Sequence, residues 1–131
     1  MERTESIILR SLIHNENFSR KVLPFIQPEY FHDSGERVVF EEIAQYLIKY
    51  NTNVPIEALG IELEKRTDLN EEQMKSVRGL LGSLSEVSAP HEWLVDTTEE
   101  WCRSQAIYNA LMDSVSIANG DDTKRGREIG R

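Results

Sequence analysis

A single cysteine among 131 residues removes one class of architecture at the start. Cys102 has no partner for an internal disulfide framework, which fits a reducing, cytoplasmic setting. Long apolar runs are missing too: none approaches the ~20 residues that a membrane span needs. The opening MERTES carries charges of both signs and no long apolar segment follows it, so no secretory signal is expected. Excess positive charge is also lacking. The formal net charge is -8, whereas a protein that neutralises phosphates needs clustered Lys and Arg. Strong direct binding of nucleic acid is therefore not expected. Glycines give no phosphate cradle: Gly79 and Gly82 lie in RGLLGS, which has neither the Lys-Ser/Thr ending of a P-loop nor a strand before it.

Catalytic constellations are equally sparse. His14, His32 and His91 lie far apart, and none has a second His or Cys at a metal-ligand spacing, so no metal site is expected. The carboxylate pairs Glu41-Glu42, Glu71-Glu72 and Glu99-Glu100 are adjacent in sequence. Neighbours diverge around a helix, so these do not form a shared-proton dyad and read as solvated faces and helix starts. Cys102 beside Trp101 reads as a packing residue. The chain presents itself as a non-catalytic interaction domain with no cofactor of its own.

What is present is helical periodicity. Thr4 caps a first helix with Ile7, Ile8, Leu12 and Ile13 inward, and a short helix from about Asn17 to Leu23 follows. Pro24 and Pro28 bracket an aromatic corner, PFIQPEYF, that cannot be one regular helix. Asp33 or Ser34 caps a helix to Tyr50 with Val39, Ile43 and Leu47 on its stripe. Pro55 opens a fourth helix, in which Gly60 is expected to admit a close neighbour. Asn70 caps a fifth, with Met74, Val77, Leu81 and Leu84 on one face. Nothing alternates with a strand period. The predicted class is all-α: about five short helices forming a globular part over residues 1–89, then a long helix over 90–119. After Gly120 the composition turns polar, and residues 120–131 read as a disordered linker. Its KRGR cluster reads as solvated rather than as a phosphate contact.

The long helix carries the sharpest pattern. Leu94, Trp101, Tyr108 and Val115 recur every seven residues, and Ile107, Leu111 and Ala118 fill the spacing beside them. That is a seam on one face, so another helix is expected to meet it. Two readings follow: a core helix of the domain itself, or one arm of a helical hairpin completed by residues outside this chain or by a second subunit. The candidate interface is Leu94, Trp101, Tyr108, Leu111 and Val115. A rival reading places a small nucleic-acid-binding face on Arg3, Arg10, Arg20 and Lys21.

The order FSRKVLPFIQPEYF, FEEIAQYLIKYNTNVP, IEALGIELEKR and HEWLVDTTEEW resembles the N-terminal domain of DnaB-type replicative helicases, and more closely the T-even-phage branch of that family. The resemblance covers about residues 7 to 118 and rests on order and spacing, since each motif by itself is aromatic and aliphatic packing. It implies a collar domain of a hexameric ring that encircles single-stranded DNA and moves 5′ to 3′. The long helix would be the first arm of a hairpin packed on another subunit's hairpin. Primase and a helicase loader are the implied partners. ATP and Mg are implied only for a RecA-type motor domain, whose motifs this sequence does not contain, so a fragment of such a helicase is expected. The alternative is a stand-alone adaptor that binds replication proteins without a motor.

Overall fold

Asn15 shows how locally the fold is written. Its backbone N–H closes the first helix, α1 (Thr4–His14), on the Ser11 carbonyl, and its side chain accepts from Phe18 N at 3.0 Å to open α2 (Glu16–Val22). One residue thus satisfies orphan groups at two helix ends, and the chain reverses with no intervening loop. In this computed structural model residues 3–84 and 90–118 are described. The expected linker over 120–131 and the break at Ser88-Ala89 lie outside them.

The aromatic corner resolves into two single 3-10 turns, Leu23–Phe25 and Pro28–Tyr30, each with its proline in the first positions, where a missing N–H costs nothing. Asp33 accepts from Glu36 N at 3.0 Å and caps α3 (Ser34–Tyr50). Asn51 ends it in the left-handed region at φ 55°, donating its N–H to the Leu47 carbonyl, the arrangement Asn tolerates best after Gly. Then come α4 (Ile56–Glu64), α5 (Glu71–Ser83) and α6 (His91–Ala118). Asn70 and Gln73 form a reciprocal capping box on α5. Pro55 sits at the N-cap of α4, one position before the expected first turn. Among the described residues every regular element is helical, as the periodicity predicts.

Packing centres on α3, which lies against α1, α4, α5 and the second 3-10 turn. Leu9, Leu12, Phe18, Phe31, Val39, Leu59, Val77, Leu84 and Leu94 fill the core. The α3–α5 approach is close at Gly35, where a Cβ would run into the Ser76 side chain. Gly60 differs from the expectation: a Cβ there would meet nothing within 4 Å. No neighbouring helix uses the missing side chain, so the glycine only adds freedom to the unfolded chain. Gly60→Ala is expected to stabilise the domain by about 0.5–1 kcal/mol. A thermal melt showing an unchanged or lower midpoint would contradict this.

Candidate interaction surface on the long helix

The second 3-10 turn, too short to satisfy its own carbonyls, is completed by α6. Gln105 Nε2 donates to the Tyr30 carbonyl at 2.6 Å, and Asn109 Nδ2 donates to the Glu29 carbonyl at 3.1 Å. His32 Nε2 donates in turn to Asn109 Oδ1 at 2.9 Å. Trp101, one turn earlier on the same face, packs on Phe31 with ring centroids 4.8 Å apart and meets Tyr30 edge-on at 6.1 Å. Its indole N–H donates to Glu5 Oε2 at 3.2 Å. The corner therefore folds back over α6 and grips it from Trp101 to Asn109. Sequence reasoning missed both amides; the one signal available was that Trp101, Gln105 and Asn109 follow one another by four and so share a helix face.

Of the five candidate interface residues, two belong elsewhere. Leu94 is 1% and Trp101 8% exposed, both inside the chain's own core. They are occupied by α1, α2 and the aromatic corner and have no surface left for a partner. The seven-residue recurrence breaks after Trp101. Tyr108 is 50%, Leu111 59% and Val115 48% exposed, with Ile107 and Met112 open beside them. At about 100° per residue, these five fall within an arc of about 140°. Ile117 is exposed as well but lies on the far side of the rod. The His32 ring touches Tyr108 at a centroid distance of 5.0 Å and marks where the globule ends. From there α6 projects for about 13 Å, nine residues at about 1.5 Å each.

Cys102 is half-buried, and burial, helped by the Glu99 carboxylate, pushes its thiol up to about 11, so it stays protonated and un-nucleophilic at neutral pH. His14 Nε2 donates to the Leu84 carbonyl at 2.7 Å, a structural tie between α1 and the end of α5. Among the described residues no three His, Cys, Asp or Glu side chains gather closely enough to hold a metal ion, and no helix is long and apolar enough to cross a membrane. Of the basic face, Arg3 pairs with Glu5 and Glu36, Arg20 with Glu16 and Asn51, and Arg10 is buried. Three of the four cations of that face are engaged within the chain, while Lys21 stays exposed.

No family model matches the chain. Over 111 residues, 85% of its length, it is 30% identical to a DnaB-like replicative helicase of Enterobacteria phage T4. The chain spans 23% of the length of that relative.

Proposed function

We propose that this chain is the N-terminal collar domain of a DnaB-type replicative helicase and that it acts by helix-to-helix self-association, not by bond-making. The observation that carries this reading is the open strip of Ile107, Tyr108, Leu111, Met112 and Val115 on a rod that outruns its own globule. The similarity to a phage T4 DnaB-like helicase supports the setting. Each of these side chains is about half exposed, so burying the rest against a partner gains about 1 kcal/mol apiece, and a second long helix covers all five at once. A hairpin arm paired with its counterpart on another subunit is the form we favour, and a closed ring requires such contacts to repeat around an axis. Primase and a helicase loader are the proposed protein partners. ATP and Mg would serve a motor domain separate from this chain, and the acidic surface would keep the outside of a collar free of DNA.

The test is the mass of the chain in solution. Leu111→Glu with Val115→Glu places two charges on the strip, and both side chains are already about half or more exposed, so the fold is expected to survive. Sedimentation equilibrium should show weakened association, with a dissociation constant raised at least about tenfold. An unchanged mass distribution would refute the strip as an interface.

A further inference from the structure

We propose that the hollow between α3 and α4 is a binding site for a primary alkylammonium group, on a free amine or at the end of a lysine side chain, with Glu42 as its counter-charge and Tyr46 and Tyr50 as its walls. None of the lining residues belongs to α6, and the argument does not rest on the helicase reading.

The hollow measures about 90 Å³. Val54 and Leu59, both buried in the core, give it an apolar lining at the inner end. Tyr46 and Tyr50 are four apart on α3 and share a face, with ring centroids 4.6 Å apart and planes tilted by 44°. Lys49 Nζ stands 5.2 Å over the Tyr50 ring, so the chain already places an ammonium on this aromatic wall. Glu42 and Glu62 line the hollow as well. Glu42 was expected on a solvated face, yet its side chain is only 13% exposed.

Charge decides the ligand. Four carboxylates, Glu41, Glu42, Glu62 and Asp68, stand in or beside the hollow with three cations, Lys49, Lys65 and Arg66. Lys65 meets Glu62 at 3.0 Å. Arg66 is fastened to Asp68 by bonds of 2.6 and 3.0 Å and reaches Glu41 and Glu42 only at 3.5 Å. Four against three leaves one negative charge over. Of the four carboxylates Glu42 is the one that water reaches least, since the side chains of Glu41, Glu62 and Asp68 are 37%, 46% and 63% exposed. Burial holds the Glu42 carboxyl above its ordinary value; Arg66 pulls it back, and Glu62 and Asp68 add to the rise. A cation seated beside Glu42 relieves that cost.

One surplus charge calls for a monovalent cation. A divalent metal would want about six or more oxygen ligands, which two carboxylates and an apolar lining do not supply. An alkylammonium suits both halves of the hollow. Its methylenes lie against Val54 and Leu59, and its N–H groups donate to the carboxylates beside the tyrosine rings. At about 30 Å³ for each water-sized share, the space admits roughly three or four non-hydrogen atoms, the end of an amine chain rather than a sugar or a nucleotide.

The probe is n-propylammonium, titrated at pH 8 and constant ionic strength into the full 131-residue chain and read from the NMR signals of Tyr46, Tyr50 and Leu59. These should shift together and saturate with a Kd on the order of 1 mM, since so few atoms supply little affinity. Glu42→Gln should weaken binding at least about fivefold. Lys49→Gln removes the chain's own ammonium from the aromatic wall and should tighten it at least about threefold, a gain that a damaged fold cannot imitate. 1-Propanol, the same size without the charge, should bind at least about tenfold more weakly. Nα-acetyl-lysine methylamide identifies the source. Binding as tight as that of propylammonium assigns the site to a lysine side chain, and its exclusion, with propylammonium still bound, assigns it to a free amine. The proposal is overturned if no saturating shift appears, if sodium ions at the same concentration reproduce it, or if neither Glu42→Gln nor Lys49→Gln changes the Kd.

Discussion

Trp101→Ala is expected to lower the stability of the domain by about 3–5 kcal/mol, more than any other single truncation along α6. The indole is 8% exposed and fills the space between Phe31, Tyr30 and the root of α6. Removing it leaves a cavity against Phe31, whose ring packs on Phe40 at 5.1 Å, so little can collapse inward. For a domain of this size about 1 kcal/mol corresponds to a few degrees, which puts the melting midpoint about 10–20 °C lower. Trp101→Phe keeps most of the packing but removes the indole donor to Glu5, and should cost about 1 kcal/mol. Circular dichroism at the helical minimum reads both.

The same substitution separates two readings of the long helix. Were Trp101 a contact between subunits, its loss would change mass first and stability of the monomer little. Because it belongs to the fold, Trp101→Ala should lower the melting midpoint even in dilute protein, where association is absent. Amide exchange of Gln105 and Asn109 should also quicken, since the clasp on the Tyr30 and Glu29 carbonyls depends on the helix lying against the corner. A midpoint that falls only at concentrations where the chain associates would reverse this assignment.

That distinction was the one the periodicity could not make. Helix existence, most caps and inward faces are local: Asp33 and Asn70 cap where their side chains reach the third following N–H, and Leu12, Val39 and Val77 are buried, whereas Thr4 is not a cap, since α1 starts after Arg3 with no side-chain cap bond. A seven-residue recurrence says only that a face is covered, not by whom. What covers Leu94 and Trp101 is decided by contacts such as Gln105 to Tyr30, 75 residues apart in the chain. No spacing rule places the aromatic corner over α6. Tyr108, Leu111 and Val115 stay open because the corner ends at His32. Gly60 carried a similar ambiguity, since a helical glycine marks either a close approach or nothing, and here the space beside it is empty. Glu36 gave no signal at all: a carboxylate in the first turn of a helix is ordinarily solvated and favoured by the dipole, and only the tertiary fold shows it sealed in.

Glu36 yields the second large effect, a dependence of stability on pH. Its side chain is 3% exposed, and Oε1 has no hydrogen-bond partner. Oε2 lies 3.2 Å from the Arg3 guanidinium, which also reaches Glu5 at 3.5 Å. Burial raises the Glu36 carboxyl from 4.5 to about 7. Arg3 works against that rise, while the Glu5 and Asp33 carboxylates add to it. The folded state thus holds a proton that the unfolded chain has already released between about pH 4.5 and 7. Where the native state binds more protons, stability falls as pH rises, so this group costs nothing below about 4.5 and its full penalty applies above about 7. The size is on the order of 3 kcal/mol, because a tenfold change in proton affinity between the two states is worth about 1.4 kcal/mol. Glu36→Gln carries no charge to bury at any pH. At pH 5 its melting midpoint should match the wild type, and at pH 8 it should stand several degrees higher, although the ion pair with Arg3 is gone. The comparison cancels every other titrating group, because both proteins share them. Melting curves for the two proteins that run parallel from pH 5 to 8 would mean that Glu36 is ionised and stabilised in the fold, with Arg3 more than offsetting the burial.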